Sequence, residues 1–314
     1  MKRIIIITIS AIIFTLLLGK FLDYRYKKFW RPVFDKLDVA FKDTTYYDGI
    51  YVGDSRVHFG INPYYTDSIT GLKTYNEGMG GASINEIYFL ANSYLSHHKA
   101  PKYVVVSIGY ADILQSYRYF ENPCYYFFYL DDTMTNANLA RDHYHTSLFR
   151  ILPVLKYTAF DDFNKLTIWK NLSGETLLKP GGVLYNGFIN NSTNFFNTNQ
   201  QEHSMKEDTA FQKGIDKCEE LMALLEQKNC IPIIVYPPVL DMNPVKKNKT
   251  FMKIDSAIAK LAVEHHAAIL HYDTDKTFTN EMFSDEWHVN IYGSKIYSRK
   301  LGFAIKDILN TQKK

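Results

Sequence analysis

The stretch 103-YVVVSIG-109 decides the fold class, because it is a continuous apolar run rich in β-branched residues. A strand with one solvated face alternates apolar and polar residues, whereas a strand buried on both faces reads as an unbroken apolar run. Two later runs, 231-IPIIVYPP-238 and 268-AILHYD-273, have the same character. These strands predict a parallel sheet covered by helices on both faces.

Segments with apolar residues at helical spacing alternate with strand-like segments along the chain. Residues 46–53 and 74–76 read as strands, and residues 82–98, 207–229, 248–266 and 291–310 read as helices. This alternation is typical of a three-layer α/β/α, flavodoxin-like arrangement with a central parallel sheet. Sites in such sheets form beyond the carboxyl ends of the strands, so the loops after the strands are expected on one rim.

One predicted strand end carries a candidate nucleophile. In 50-IYVGDSRVHFG-60 an apolar run ends in Gly-Asp-Ser, which places Ser55 at the carboxyl edge of the sheet. The tripeptide alone does not distinguish a nucleophile from a polar turn residue. A serine hydroxyl becomes an effective nucleophile when a base removes its proton as it attacks. The interpretation therefore depends on whether the chain supplies such a base.

A candidate base and a carboxylate to orient it stand near the C-terminus, in 283-FSDEWHVNIYG-293. Asp285 and His288 are three residues apart, so the carboxylate can accept a hydrogen bond from Nδ1–H of the imidazole. Nε2 is then free to take the proton of a serine hydroxyl. The alternative is an Asp285 that caps the last helix, with an exposed His288 beside it.

The order of these motifs, with 76-NEGMGGAS-83 between them, resembles the SGNH/GDSL hydrolase superfamily. The resemblance covers most of the chain from about residue 48 to 311, apart from an insertion at 115–205. It implies the three-layer SGNH fold and a Ser-His-Asp mechanism.

Carried onto this sequence, the resemblance assigns catalytic roles to Ser55, Asp285 and His288. It places the oxyanion donors at the backbone N–H groups of Arg56 and Gly81, and the Arg56 side chain would add positive charge there. The mechanism that it implies needs no metal ion and no organic cofactor.

The third block of this sequence departs from the family pattern. The family usually has Gly-x-Asn-Asp, whose asparagine donates to the oxyanion, but 109-GYAD-112 puts Ala111 at that position. Losing one oxyanion donor typically costs about 100- to 1,000-fold in rate. A non-catalytic glycan-binding or assembly protein with the SGNH fold is therefore the alternative to an enzyme. Asp112 is expected to structure this loop.

The N-terminus reads as a membrane anchor. The basic residues Lys2 and Arg3 precede the apolar run 4-IIIITISAIIFTLLLG-19, and Phe21 and Leu22 extend the run into the range of a spanning helix. A cleaved signal peptide is the alternative. Against cleavage, no small-x-small pair follows the run, and the next residues are bulky and basic.

These observations predict a transmembrane anchor at 1–22, a juxtamembrane linker at 23–45, and an SGNH-like domain at 46–311 that contains the insertion. No second hydrophobic span follows the first. We therefore expect a single-pass protein of the cell membrane whose catalytic domain lies on the extracytoplasmic side.

Composition argues against several other classes of protein. A formal net charge of +3 is too small to indicate a nucleic-acid partner. Three cysteines without C-x-x-C spacing favour neither a disulfide framework nor a metal or redox motif; they are Cys124, Cys218 and Cys230. The histidine pairs lack carboxylate or cysteine partners at a recognised metal spacing. We therefore predict no nucleic acid, no metal and no cofactor.

A short anchor, a Gly-Asp-Ser-Arg block and a late Asp-x-x-His look most like envelope acyl-transfer proteins, of the D-alanyl transfer and alginate acetylation types. The resemblance implies a serine esterase or O-acyltransferase that acts on an acylated envelope or host-derived glycan or another ester. It also implies a membrane-bound acyl-donor partner. Hydrolysis and transfer share one acyl-enzyme, so the sequence leaves both open. The aromatic-rich insertion is expected to form a lid or an acceptor-binding wall.

Overall fold

The structure, a computed structural model, describes residues 1–115, 119–178, 182–190, 208–240 and 249–312. The chain forms two units. The first consists of Met1–Asp35 and Asn122–Leu177, and the second of Lys36–Glu121 and Leu178–Lys314. The second unit contains every residue that the sequence analysis proposed for the site.

A five-stranded parallel sheet forms the centre of the second unit. The strands are β1 (Gly49–Val52), β2 (Thr74–Asn76), β3 (Tyr103–Ser107), β4 (Val183–Tyr185), β5 (Phe188–Asn190), β6 (Ile231–Tyr236) and β7 (Ala268–His271). The sheet has the order β2-β1-β3-β6-β7, and all neighbouring strands in it are parallel. The central strand β3 is buried at every position, as its unbroken apolar run predicted.

Helices of the second unit cover both faces of this sheet, and the helices of both units are numbered together in chain order. The helices are α1 (Lys2–Phe29), α2 (Arg31–Phe41), α3 (Ser55–Gly60), α4 (Pro63–Thr70), α5 (Ile84–His97), α6 (Tyr110–Leu114), α7 (Pro123–Tyr126), α8 (Thr133–Arg141), α9 (Thr146–Ile151), α10 (Asp162–Leu172), α11 (Asp208–Gln227), α12 (Lys249–Glu264) and α13 (Ile291–Thr311). Helices α3 and α4 pack against α13, whereas α5, α6 and α12 pack around α11. The predicted α/β class with a central parallel sheet is confirmed.

The core between the sheet and α13 follows from the periodicity of both elements. Tyr297, Leu301 and Ile305 recur every four residues on one face of α13, and all three are fully buried. They belong to one apolar cluster with strand residues such as Tyr51 and Val105. Burying one such side chain contributes roughly 1.5–3 kcal/mol, so this seam holds the last helix, and the loop before it, against the sheet.

Strands β4 and β5 form an antiparallel hairpin in the second unit. Its turn lies against the outer edge of the sheet, where Asn76 N–H donates to Asn186 O (2.9 Å) and Asn186 Nδ2 donates to Thr74 O (3.2 Å). The predicted insertion 115–205 is thus divided, because residues 122–177 belong to the first unit and the hairpin to the second. Its residues 116–118, 179–181 and 191–205 lie outside the described residues.

The stretch 23–45, expected as a linker, is helical as far as Phe41 in α1 and α2. The reason is a buried apolar face at helical spacing that the sequence analysis did not use. Tyr26 is fully buried in the first unit, where its ring packs against Phe34, Phe128 and Phe160. The domain boundaries as a whole stay a prediction.

Helix α1 is long and apolar enough to cross a membrane. Its most apolar 18-residue window has a mean hydropathy of 2.4, and only 6% of that window is buried. A signal sequence satisfies the same criterion, so the two alternatives of the sequence analysis both stand.

Candidate active site

Ser55 lies where a strand turns into a helix. Strand β1 ends at Val52, and Ser55 is the first residue of α3. Asp54 caps this helix, since its carboxylate accepts from Arg56 N–H (3.0 Å). The short turn leaves Ser55 partly exposed at the carboxyl edge of the sheet, where the sequence predicted it.

Ser55, His288 and Asp285 form a continuous chain of hydrogen bonds. His288 Nε2 lies 2.7 Å from Ser55 Oγ. The other ring nitrogen, Nδ1, lies 2.9 Å and 2.8 Å from the two carboxylate oxygens of Asp285. This is the arrangement in which a carboxylate orients an imidazole toward a serine hydroxyl.

The loop that carries the Asp-His pair is held by its own backbone. Asp285 Oδ1 accepts from the N–H groups of Trp287 (2.8 Å) and His288 (2.9 Å). These two bonds hold the carboxylate in place independently of its contact with the imidazole. An isolated antiparallel bridge between Phe283 and Val289 closes the loop. Asn290, not Asp285, caps α13, so the capping alternative does not describe Asp285.

Two opposing effects act on the Asp285 carboxyl. Its half-buried position raises its pKa, but the hydrogen bond to His288 and the charge on that ring lower the pKa further than burial raises it, and the N–H groups of Trp287 and His288 add to the lowering. The net pKa lies below the ordinary value for aspartate. Asp285 is therefore ionised over the physiological range and stabilises a positive charge on His288.

The groups of Arg56 to which the sequence analysis gave an oxyanion role are bound to carboxylates in the structure. Its N–H donates to the Asp54 carboxylate within the cap of α3. Its guanidinium is also engaged, with Nε 2.8 Å from Asp54 and Nη2 3.0 Å from Asp112, and the side chain is only 10% exposed. The expectation that Arg56 offers a free amide and a free charge to an oxyanion is therefore corrected. The N–H of Ser55 itself has no acceptor among the described residues.

Asp112 binds the third block to the turn that carries Ser55. Its carboxylate accepts from Gly109 N–H (2.7 Å) as well as from Arg56. Burial and the nearby charge of Asp54 raise the pKa of Asp112, while Arg56 opposes this rise. The expectation that Asp112 structures this loop agrees with these bonds. Ala111, the departure from the family pattern, lies in the first turn of α6 and has no polar side-chain group.

The glycine-rich loop after β2 packs directly on the turn that carries Ser55. Met79 N–H donates to Gly53 O (2.9 Å). A Cβ atom on Gly78 would lie 2.6 Å from His58 N, so only glycine allows this close approach. Gly81 adopts a positive φ of 75°, and its N–H has no acceptor among the described residues. The predicted oxyanion role of Gly81 thus stays compatible with its surroundings.

Replacing Gly81 by alanine tests this loop. The new Cβ would lie 2.8 Å from Glu121 Cγ and would have to adopt a left-handed backbone conformation, which costs a non-glycine residue about 1–2 kcal/mol. We expect a loss of turnover on an ester substrate in addition to this loss of stability. Gly71→Ala is the matched control, because Gly71 has a φ of 70° and open space around its Cβ position. Equal turnover in the two variants would contradict the assignment.

A fully buried lysine, which the sequence analysis missed, holds the same loop from behind. Lys36 Nζ donates to Gly78 O and to Asn76 Oδ1 (3.2 Å) and lies 3.1 Å from His58 Nδ1. Asn76 Nδ2 in turn donates to Val57 O (2.7 Å) and Ile61 O (2.6 Å). Lys36 and Asn76 therefore join the glycine-rich loop to the helix that begins at Ser55.

Glu77 places a second ionisable group in this buried region. Neither of its carboxylate oxygens has a hydrogen-bond partner among the described residues, and the side chain is fully buried. Burial raises the pKa of Glu77 to about 8, although the Lys36 charge opposes the rise. Burial likewise lowers the pKa of Lys36 to about 7. Near pH 7 the Glu77 carboxyl is therefore largely protonated and neutral, whereas Lys36 is about half charged.

A sequence signal for Lys36 exists in the periodicity of α2. Val33, Leu37 and Ala40 form the buried face of this helix, and Lys36 lies on that face between them. A lysine at a core-facing position of a helix predicts either a buried polar partner or a helix end. Here three buried groups contact its ammonium, namely Gly78 O, Asn76 Oδ1 and His58 Nδ1.

Comparisons with known proteins identify similar folds at low sequence identity. No protein-family model matches the chain, and no curated protein matches it. A lipase/acylhydrolase from Enterococcus faecalis is 11% identical, with 82% of this chain and 95% of that chain covered and a TM-score of 0.41. An acetyl xylan esterase is 13% identical, with 82% and 98% covered and a TM-score of 0.42.

An acetylxylan esterase from Geobacillus stearothermophilus, solved as a catalytic mutant, is 9% identical, with 84% of this chain and 95% of that chain covered and a TM-score of 0.42. At this level of similarity, conclusions about activity depend on the residues of this chain.

Within the described ranges, no group of three or more histidine, cysteine, aspartate or glutamate side chains is arranged to hold a metal ion.

Proposed function

We propose that this protein is a membrane-anchored, extracytoplasmic serine esterase or O-acyltransferase of the SGNH type. The observation that carries the proposal is the 2.7 Å separation of Ser55 Oγ and His288 Nε2, with both Asp285 oxygens within 2.9 Å of Nδ1. Hydroxyl, imidazole and carboxylate in this order define a nucleophile, its base and the group that orients the base.

The proposed reaction begins with attack of Ser55 Oγ on the carbonyl carbon of an ester. His288 Nε2 takes the hydroxyl proton as the new C–O bond forms, and it donates this proton to the leaving alkoxide as the acyl C–O bond breaks. Water or a second alcohol then attacks the acyl-Ser55 ester, and His288 again takes and returns the proton. Asp285 remains ionised and stabilises the imidazolium throughout.

The oxyanion is stabilised by backbone amides in this proposal. The N–H groups of Ser55 and Gly81 are the candidates, because both lie on the rim and neither has an acceptor among the described residues. Ala111 supplies no side-chain donor. We therefore expect a slower enzyme than one with the full set of donors, by up to about 1,000-fold.

The substrate class follows from the resemblance stated above to envelope acyl-transfer proteins, of the D-alanyl transfer and alginate acetylation types. We propose an acylated envelope or host-derived glycan as substrate and, for the transfer reaction, a membrane-bound acyl-donor partner. We propose that the β4–β5 hairpin contributes to substrate binding, because β5 packs beside α3, the helix that begins at Ser55. Asn190 Nδ2 on this hairpin donates to Phe59 O (3.5 Å). Helix α1 supports the proposed anchor.

Labelling with a fluorophosphonate probe tests the catalytic proposal. We expect the full-length protein in mild detergent to be labelled at Ser55, since the probe reports an activated serine, and we expect Ser55→Ala to remain unlabelled. Acetate release from an acetylated glycan, with and without an added sugar acceptor, then distinguishes hydrolysis from transfer.

A folded wild-type protein that is not labelled would contradict the catalytic proposal. The missing side-chain donor at Ala111 favours the alternative in that case, namely a glycan-binding or assembly protein that retains the SGNH fold. Binding of the same glycan without ester cleavage would then be the measured activity.

A further inference from the structure

Helix α10 of the first unit has its polarity reversed relative to a helix of a water-soluble domain. Three of its four buried side chains are polar, and they are Asn164, Thr167 and Asn171, each at most 2% exposed. Four large apolar side chains point outward at a spacing of three residues. This outer stripe consists of Phe163 (56% exposed), Leu166 (48%), Trp169 (66%) and Leu172 (44%).

Two side chains of the polar inner face of α10, and one backbone oxygen, accept hydrogen bonds from α1 and from Trp30, which follows it. Tyr26 Oη donates to Asn164 Oδ1, and Trp30 Nε1 donates to Thr167 Oγ1 (3.3 Å). Arg25 donates to the backbone oxygen of Asn171. Polar side chains that join helices while apolar side chains face outward are typical of helices packed in a membrane, where hydrocarbon surrounds the bundle.

Two charged groups that follow the apolar run of α1, Asp23 and Lys27, also have partners within the first unit. Asp23 pairs with Lys156 (2.8 Å), whose side chain is only 5% exposed. Lys27 Nζ lies 4.9 Å from the centre of the Phe128 ring. Because these charges are neutralised or screened by protein groups, the surface beside them can approach a bilayer at a lower desolvation cost.

A second apolar surface lies at the level where the apolar run of α1 ends. A Cβ atom on Gly19 would lie 3.7 Å from Val154, which places the segment 148–154 beside the last residue of that run. Leu148 and Ile151 in this segment are 50% and 80% exposed. The exposed apolar residues of this segment therefore lie close to the end of the apolar run of α1, within the same unit.

The composition and length of α10 favour a lipid interface as the occupant of the outer stripe. Eleven residues span roughly 16 Å, which is about half of what a transmembrane helix needs. Tryptophan, phenylalanine and leucine beside lysines are typical of helices that lie in the headgroup region. The apolar run 4–19 reaches the length of a spanning helix only with Phe21 and Leu22, so apolar surface at its end lies where the hydrocarbon core meets the headgroups.

We propose that the outer stripe of α10, together with Leu148 and Ile151, lies in the membrane interface and forms a second lipid contact beside α1. The contact would restrict how the first unit tilts relative to the bilayer. This inference rests on the membrane anchoring in the proposed function but not on the proposed catalysis.

Spin labels on introduced cysteines in the full-length protein, reconstituted in lipid nanodiscs, test the proposal. The native cysteines Cys124, Cys218 and Cys230 are buried, so labelling is directed to the new sites. Leu166→Cys and Trp169→Cys probe the outer stripe. Lys260→Cys is the control for a water-exposed label, because this side chain is 75% exposed on α12 of the second unit. Ile9→Cys reports on the insertion of α1.

We expect labels at 166 and 169 to collide with oxygen, which partitions into lipid, and to lose most of their accessibility to a water-soluble nickel complex. The label at 260 should show the opposite preference. Nickel accessibility at 166 and 169 equal to that at 260 would overturn the proposal, and so would protection from both reagents, which indicates a protein contact. A lipid-exposed label at Ile9 in either case shows that the anchor stands while this inference fails.

Discussion

Replacing His288 by alanine is expected to lower kcat/KM on an activated acetyl ester by about 10⁴- to 10⁶-fold. The base that lies 2.7 Å from Ser55 Oγ is then absent, so the hydroxyl attacks without losing its proton to a positioned group. The rate of fluorophosphonate labelling should fall in parallel, because the probe requires the same activated hydroxyl. Stopped assays of ester cleavage and labelling time courses measure the two effects.

Asp285→Asn is expected to cost about 10⁴-fold, because the amide favours the wrong imidazole tautomer. His271→Ala serves as the control, since His271 also faces an aspartate, with Nδ1 3.4 Å from Asp273 Oδ1, but is 49% exposed and has no hydrogen bond to a serine among the described residues. We expect its activity to equal that of the wild type. If His288→Ala keeps the wild-type rate and remains folded, the triad does not carry the activity.

Replacing Glu77 by glutamine is expected to stabilise the protein, and the gain should grow with pH. The native carboxyl has a pKa of about 8 because of burial, above the 4.5 of the unfolded chain. Between these values the native state holds a proton that the unfolded state has released, so the stability contributed by the protonated group is present below pH 4.5 and is lost as pH rises to 8. Glutamine does not titrate, so the variant should gain on the order of a few kcal/mol by pH 8.

Replacing Lys36 by methionine should change how the free energy of unfolding depends on pH between about 7 and 10.5. The native ammonium has a pKa of about 7, below the 10.5 of the unfolded chain, because burial disfavours its charge. Between pH 7 and 10.5 the unfolded state binds a proton that the native state lacks, so wild-type stability rises with pH across this window. The methionine variant should lose that rise.

Urea unfolding of the full-length protein in mild detergent, at several pH values from 4.5 to 10, measures both effects. Glu264→Gln is the control, because this carboxylate is 48% exposed and its ion pair among the described residues is with the exposed Lys260. It should change the free energy of unfolding by less than about 1 kcal/mol at every pH. A pH profile of Glu77→Gln that runs parallel to that of the wild type would show that Glu77 titrates normally in the folded protein.

The buried Lys36 also links the stability of the protein to the geometry of the candidate site. Lys36 holds the carbonyl of Gly78, three residues before Gly81, and approaches the side chain of His58 on α3. Placing ionisable groups in the core is costly, and the position of these groups directly behind the site suggests a role in holding the glycine-rich loop. The turnover of Lys36→Met, compared with its stability, reports on this coupling.

The predictions that rested on repeated local patterns agree with the structure. The apolar run 103–109 predicted a doubly buried strand, and β3 is buried throughout and has a parallel neighbour on each side. Side-chain periodicity is a property of neighbouring residues, so it can be read without knowledge of the tertiary contacts. The apolar run of α1 can also be recognised from the sequence alone, although a signal sequence and a membrane span share that pattern.

The surroundings of the candidate site needed the fold. The spacing of Asp285 and His288 predicted their mutual contact, and the strand-end rule predicted that Ser55 would lie on the same rim. The sequence could not show that the Arg56 amide and side chain bind Asp54 and Asp112. Asp54 and Asp112 bind the Arg56 donors that an oxyanion would need. Asp112 lies 56 residues from Arg56 in the chain, so local spacing does not reveal this contact.

Sequence alone determined the α/β class, the strand ends and the three candidate residues Ser55, Asp285 and His288, because each depends on local order and spacing. Tertiary structure decided the 2.7 Å contact between Ser55 and His288, which are 233 residues apart. It also decided the burial of Lys36 beside the glycine-rich loop and the outward apolar face of α10. These depend on which helix face meets which neighbour, and packing between distant segments sets that choice.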